Sequence, residues 1–376
     1  MNREQLDRIQ KDLVSKMVFL TGPRQVGKTW IAKNIAQKTA DSVYLNFDNL
    51  HDRQAIQEGS WPVKTSLLVF DEIHKMAHWK NWLKGVYDTK PKTQQILVTG
   101  SARLEAFRHS GDSLAGRFFQ HRILPLTLDE LYTLNPQEDP HENLEALLSR
   151  GGFPEPWLAE DTVAVDRWRS LYADSLIRQD AVDLSRIHDV RAMITLFELL
   201  KTRVGSPISF AALARDLQVS PTTVGKYIEI LESLYVVFRV IPWSQNIARS
   251  LIKEPKIYFF DLGFVENGEG ARLENLVALS MLKHTYSLFD QKGISAELRY
   301  LRTKEGQEVD FCFVIKHTPS LLVEVKTTQK EMSPGLWYFA KKYQVPGLQL
   351  VKNLRIPRDK ENIQVRNCAQ WLSREL

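Results

Sequence analysis

Three groups of residues in this chain have the types and spacing that chemistry requires. The first is Gly22-Pro23-Arg24-Gln25-Val26-Gly27-Lys28-Thr29. In a G-x-x-x-x-G-K-T octet the glycines let backbone N–H groups turn onto phosphate oxygens, and the helix that follows adds its positive N-terminal dipole. All eight residues form the expected nucleotide cradle, with Lys28 reaching the β- and γ-phosphates and Thr29 offering a hydroxyl to Mg²⁺. The second group is Leu67-Leu68-Val69-Phe70-Asp71-Glu72, an apolar run ending in two acids. A buried strand of this kind delivers Asp71 beside the phosphates for Mg²⁺ and Glu72 to polarise an attacking water. The next apolar run ends in Thr99-Gly100-Ser101, where Ser101 is preferred over Thr99 as a contact to the γ-phosphate or the water. Arg117 closes Ser113-Leu114-Ala115-Gly116-Arg117 and is the candidate arginine finger, an always-charged group able to stabilise a phosphoryl-transfer transition state.

The third group lies far along the chain. Glu274 opens a helical pattern, Asp310 sits on the strand Val309–Val314, and Glu324 and Lys326 belong to Leu321-Leu322-Val323-Glu324-Val325-Lys326. Strand alternation puts Glu324 and Lys326 on one face. An acid from one strand and E-x-K from the next can hold Mg²⁺ between Glu274, Asp310 and Glu324, while Lys326 helps position hydroxide for attack on a phosphodiester. Fourteen positions separate Asp310 from Glu324, a hairpin distance, and Gln329 could assist. Trp337-Tyr338-Phe339 alternate poorly for a base-stacking platform and read as core; Asp261 reads as structural.

Positioning these groups requires several domains. At 376 residues, two or three are expected. Short β-rich runs at Met17–Thr21, Val43–Phe47, Leu67–Phe70, Ile96–Thr99 and Phe118–Pro125 alternate with helical segments, which predicts an α/β domain on a parallel sheet over residues 1–125, its ligand at the strands' carboxyl ends. Residues 126–200 read as helical, suited to a lid over a nucleotide site. Within 201–245, Ile208–Leu217, a turn at Gln218–Ser220 and a helix starting at Pro221 outline a helix-turn-helix, with Leu234–Val240 as the strand of a wing. Thr222, Thr223 and Lys226 would then face DNA. Residues 246–376 carry the third group as an α/β domain.

The octet, the strand ending in Asp71-Glu72, the Thr99-Gly100-Ser101 turn and the Ser113–Arg117 segment together resemble a family of AAA-type P-loop ATPases of bacteria and archaea. Gly151-Gly152-Phe153-Pro154-Glu155 matches a further segment of that family, whose C-terminal domain is similar to restriction endonucleases of the PD-(D/E)xK pattern; Trp30 departs, standing where a second threonine is common. The resemblance implies ATP and Mg²⁺ as cofactors and suggests a homo-oligomer, which hydrolysis would require if Arg117 acts across a subunit interface.

Composition sets the outer limits. Hydrophobic residues at 43% and charged residues at 25% describe a soluble globular protein, and a formal charge of +5 permits nucleic-acid contact. Two cysteines form neither a metal-spaced cluster nor a disulfide framework, so a cytoplasmic setting is expected. No apolar run approaches the ~20 residues that cross a bilayer, so no membrane association is expected. The expected function is ATP hydrolysis coupled to remodelling or translocating DNA. Its rivals are an ATP-dependent Mg²⁺ nuclease and a nucleotide-gated switch that binds a protein partner, its nuclease-like domain an inactive scaffold.

Overall fold

The computed structural model describes residue 3 and residues 5–100, 114–180, 189–244, 254–328 and 331–376, with the side chains of 178–180 excepted. Two compact units divide the chain, Met1–Leu124 and Pro125–Leu376. Ser101, Gln329 and Ser113 lie outside the described residues.

In the first unit, helix α1 (Leu6–Leu13) leads into β1 (Met17–Thr21), α2 (Lys28–Lys38), β2 (Ser42–Asn46), α3 (Leu50–Glu58), β3 (Leu67–Asp71), α4 (Trp79–Thr89), β4 (Gln95–Thr99) and β5 (Phe118–Arg122). The strands form one sheet in the order β2-β3-β4-β1-β5, every pairing parallel. β1 and β3 are buried along their whole length, which their unbroken apolar sequence requires of central strands covered on both faces. Because the strands are parallel, their carboxyl ends share one edge. There Asp71 is registered with Thr99, and Asn46 with Asp71. One face of the sheet packs Phe19, Phe70, Trp79 and Leu83, with Phe118 stacked on Phe19 at 4.5 Å.

The second unit begins with helices α5 (Leu128–Leu134), α6 (Pro140–Arg150), α7 (Pro154–Leu158), α8 (Thr162–Asp174) and α9 (Val190–Lys201). They continue into α10 (Phe210–Leu217) and α11 (Pro221–Ser233). β6 (Val237–Pro242), β7 (Lys256–Phe259), the long α12 (Glu269–Lys292), β8 (Ala296–Arg302), β9 (Glu308–Ile315), β10 (Thr318–Thr328), α13 (Pro334–Tyr343), β11 (Gly347–Asn353), β12 (Arg358–Lys360), β13 (Ile363–Asn367) and α14 (Cys368–Arg374) complete it. Eight strands make a mixed sheet in the order β12-β13-β11-β10-β9-β8-β6-β7.

The expected separate lid, winged segment and C-terminal domain are joined here. Lys283 of α12 donates to Glu130 and Thr127 at 2.6 and 2.7 Å in a buried cluster, and Arg169 of α8 pairs with Asp261 at 2.9 Å. These contacts fasten the early helices to the C-terminal part. Likewise β6, expected as the strand of a wing, pairs with both β7 and β8 and so belongs to the large sheet. Asp261 is structural as expected, accepting from the Gly263 N–H.

Local chemistry explains the turns that matter for function. Lys316 and His317 both have positive φ, the combination that joins β9 to β10 by a tight hairpin matching strand twist. Gln218 ends α10 in the left-handed region, and Ser220 caps α11 by accepting from the Thr223 N–H. Cys312 and Cys368 are both buried, and burial pushes each thiol up to about 12. Among the described residues, no helix is long and apolar enough to cross a membrane.

Candidate functional site

The octet forms a loop between β1 and α2. Gly22, with φ 138°, passes so close to the next strand's exit that a Cβ there would lie 2.0 Å from the Ile123 carbonyl oxygen. Gly27, at φ 98°, turns the chain directly into α2, and Gln25 also has positive φ. Buried Arg3 braces the loop from beneath, donating to the carbonyls of Val26 at 3.2 Å and Leu124 at 2.6 Å. Lys28 is itself buried; its ammonium donates to the carbonyls of Gly22 and Pro23 at 3.0 and 2.5 Å. Burial draws its pKa down to about 8, against the opposing charges of Glu72 and Asp71. The loop thus holds a buried cation at the N-terminus of α2, which suits a polyphosphate.

Asp71, 2% exposed at the end of β3, gathers three hydroxyls. Thr29 donates to its Oδ2 at 3.0 Å, Tyr44 to the same oxygen at 2.5 Å, and Thr99 to Oδ1. The Thr29 hydroxyl and the Asp71 carboxylate therefore converge as the donor set for Mg²⁺ requires, two hard oxygens on adjacent elements. Glu72 follows in a left-handed conformation at φ 57°, a costly geometry for a non-glycine residue, with its N–H on the Thr99 carbonyl. Its carboxylate lies 3.4 Å from Lys75, which also holds Asp48 at 2.5 Å. Burial raises the Glu72 pKa above the ordinary carboxylate value.

The structure brings Lys28, Thr29, Asp71 and Glu72 to one edge. Thr99, second to Ser101 in the sequence, is in direct contact with Asp71. Tyr44 was missed; the only signal was a tyrosine in the middle of the strand that neighbours β3. Arg117 is not part of this cluster. It precedes β5, which runs parallel to β1 with Met17 opposite Phe118, so it stands at the amino-terminal edge, a strand's length of ~13 Å from the loop. There it forms a bidentate pair with Asp88 at 2.8 and 3.1 Å.

In the second unit Glu274, Asp310, Glu324 and Lys326 also come together. Lys326 lies 2.6 Å from Glu324, the Asp310 N–H points to Glu324 at 3.4 Å, and the Asp310 carboxylate accepts from the Val325 N–H at 2.9 Å. At the centre sits a group that the sequence motifs do not include. Lys256, 1% exposed, lies 2.7 Å from Glu308, 3.4 Å from Glu274 and 3.6 Å from Asp310. Burial opposes its charge, yet the surrounding carboxylates more than offset that and hold its pKa above the ordinary value. Tyr258 donates to Glu274 at 2.6 Å. Burial and the neighbouring Asp310 raise Glu274 to about 7. Among the described residues no group of three or more His, Cys, Asp or Glu is placed to hold a metal ion. Two of the residues expected to hold Mg²⁺, Glu274 and Asp310, here share the Lys256 ammonium.

On α11, Thr222 and Lys226 are exposed, whereas Thr223 is engaged in the helix cap with Ser220 at 2.8 Å. Only the first two present free helix surface of the kind expected.

Residues 14–132 match the family described as an AAA domain. Two further matches, over residues 141–272 and 269–371, are to families described as Domain of unknown function (DUF8612) and Domain of unknown function (DUF4143). The C-terminal match is thus to a family whose description names no nuclease. Among curated relatives, the chain is similar to "Uncharacterized protein Rv2008c" of Mycobacterium tuberculosis, 26% identical over 313 residues that cover 81% of this chain and 68% of the relative. It is also similar to "Uncharacterized protein MJ1544" of Methanocaldococcus jannaschii, 25% identical over 345 residues, 82% of this chain and 77% of the relative. Among solved structures, the Walker-type ATPase PABY2304 of Pyrococcus abyssi aligns with a TM-score of 0.42 and 13% identity, over 69% of this chain and 92% of that one. Thermotoga maritima RuvB aligns with a TM-score of 0.29 and 18% identity, over 62% and 86%. Likenesses this faint say nothing of activity. The family match over residues 14–132, together with the loop geometry, supports an AAA-type ATP-binding domain in the first unit.

Proposed function

We propose that this chain binds and hydrolyses ATP with Mg²⁺ and uses the energy to remodel or translocate DNA. The observation that carries the reading is the gathering of Lys28, Thr29, Asp71 and Glu72 at the carboxyl edge of one parallel sheet. In this reading the amides of residues 22–29 and the Lys28 ammonium bind the β- and γ-phosphates. Lys28 exchanges its present carbonyl partners for phosphate oxygens. Thr29 and Asp71 would hold Mg²⁺, which when bound neutralises charge on the phosphates. Tyr44 and Thr99 fix the Asp71 carboxylate, and Glu72 accepts the proton of an aligned water. Arg117 lies too far from its own loop to serve it, so a finger role belongs to a neighbouring copy in a homo-oligomer.

DNA enters the proposal through the exposed Thr222 and Lys226 on α11, in a helix-turn-helix outline, and through the acid-lysine cluster of the second unit. The test is ATP hydrolysis with and without duplex, single-stranded and branched DNA at low and moderate salt, beside Lys28→Ala. Stimulation by one DNA form, lost in the variant, supports the reading; hydrolysis indifferent to every form refutes the DNA part. The convergence of Glu274, Asp310, Glu324 and Lys326 also favours a second reading, an ATP-dependent nuclease. Mg²⁺-dependent cleavage abolished by Asp310→Ala, with ATP hydrolysis spared, would establish it.

A further inference from the structure

The second unit carries a cleft of about 810 Å³ that neither the nucleotide loop nor the acid cluster uses. One wall is α13, whose residues Trp337 and Tyr338 each stand one helical turn before a lysine, Lys341 and Lys342. The opposite wall is the short edge strand β12. Its alternation sends Arg358 and Lys360 into the cleft, while Asp359 between them turns away and pairs with Arg366 at 2.5 Å. Four cations and two large rings therefore face one space, with Glu331 the lone acid among the described lining residues.

The rings are arranged to be covered. Lys360 sits 4.8 Å over the Trp337 ring and Lys342 sits 5.3 Å over the Tyr338 ring, so each π-face already receives a cation. Tyr338 is 38% exposed, whereas Phe339, the next residue, is buried in the core. The triplet read as core from sequence is thus divided between core and cleft. Flat apolar faces beside exposed ammonium groups fit one ligand chemistry above others: unpaired bases joined by phosphates. A base can take the ammonium's place on the ring, and the displaced ammonium then meets the adjoining phosphate. In duplex DNA the base faces are stacked away and could not reach the rings.

The cleft also leads toward the acid cluster. Its lining residue Gln307 adjoins Glu308, one of the acids around Lys256, and Gly335 at the start of α13 lies so tightly on the Glu308 backbone that a Cβ would come within 2.0 Å of its oxygen.

We propose that this cleft binds single-stranded nucleic acid, with bases stacked on Trp337 and Tyr338 and phosphates met by Lys341, Lys342 and Lys360. This rests on the reading that the chain works on DNA, and assigns the place where an unpaired strand lies.

The test is fluorescence anisotropy of the full-length protein with a fluorescein-labelled oligodeoxythymidine of about 20 nucleotides, longer than one site, over a salt series. Two variants are compared with wild type: Tyr338→Ala, at an exposed ring, and the pair Lys341→Gln with Lys360→Gln. Wild-type far-UV circular dichroism and an unchanged urea-unfolding midpoint in both verify that each is folded. Tyr338→Ala is expected to weaken binding roughly 5- to 150-fold with little change in salt slope. The lysine pair is expected to flatten the slope by about 1.4, or ~0.7 for each phosphate that is no longer neutralised. Wild-type binding that both variants retain would overturn this cleft while leaving the DNA reading intact. Equal affinity for a duplex, insensitive to Tyr338→Ala, would likewise overturn it. Absence of any wild-type binding at low salt would overturn the DNA reading and the cleft with it, as would binding of a phosphotyrosine peptide in place of the oligonucleotide.

Discussion

Replacing Lys28 by methionine should make the nucleotide-free protein more stable while abolishing ATP binding. The ammonium is buried, and its pKa falls from 10.5 to about 8 because it has lost water. At neutral pH the native chain must therefore hold a charge it would rather shed, a cost of ~3 kcal/mol at 1.36 kcal/mol per unit. Methionine has similar length and no charge, so it escapes that cost. It gives up the bonds to the Gly22 and Pro23 carbonyls, worth ~1 kcal/mol each, which leaves a net gain of ~1 kcal/mol. The sign of the pH dependence follows. Between about 8 and 10.5 the unfolded chain holds a proton that the native lysine has released, so wild-type stability rises with pH across that window. The variant lacks this rise, and its advantage should vanish near the top of the window. Urea unfolding without nucleotide, near pH 7 and again near pH 10, measures both quantities. A variant less stable than wild type near neutrality, with the same slope against pH, would refute the account of Lys28 as a desolvated cation awaiting phosphate.

Three further outcomes are expected. Glu72→Gln should retain ATP binding but hydrolyse ~10²- to 10⁴-fold more slowly, the usual worth of a positioned base; tight binding by a labelled nucleotide beside a steady-state rate separates the two. Tyr44→Phe removes one of three hydroxyls on Asp71, a bond worth ~1 kcal/mol. The Mg²⁺ concentration for half-maximal hydrolysis should rise several-fold, with ATP affinity little changed. Lys256→Met strips the cation from among Glu274, Glu308 and Asp310 and should cost ~3–5 kcal/mol in urea unfolding, since buried acids are left unbalanced. A variant as stable as wild type would mean that those acids share protons instead.

Much of the first unit was legible because its signals are local. An octet of fixed spacing, and apolar runs ending in acid or hydroxyl, identify strands whose ends must share an edge once the sheet is parallel. Thr99 and Tyr44 depend on strand order, since β4 and β2 flank β3 only in the folded sheet, so the sequence could not place either hydroxyl on Asp71. Arg117 shows the same limit: its place at the far edge is set by the direction of β5, which a short motif does not state. In the second unit the hairpin of β9 and β10 was readable from alternation and distance. Lys256 was not, because its partners come from α12 and β9, 18 to 54 positions further along. Its one trace was a charged residue opening an otherwise apolar run, Lys256-Ile257-Tyr258-Phe259-Phe260. Trp337 and Tyr338 escaped for a related reason: strand alternation does not describe residues that lie on a helix, where neighbours point about a quarter-turn apart and both can border one cleft.

The two buried cysteines have a practical corollary. With both thiols closed off and pushed to about 12, the folded chain offers almost no thiolate to a maleimide or an iodoacetamide near neutral pH. It is already silent to such reagents without engineering. A single cysteine introduced at an exposed position, Tyr338 or Thr222 for instance, would therefore be the lone labelling point, and a pair, one in each unit, would report the distance between the units as nucleotide is added and consumed.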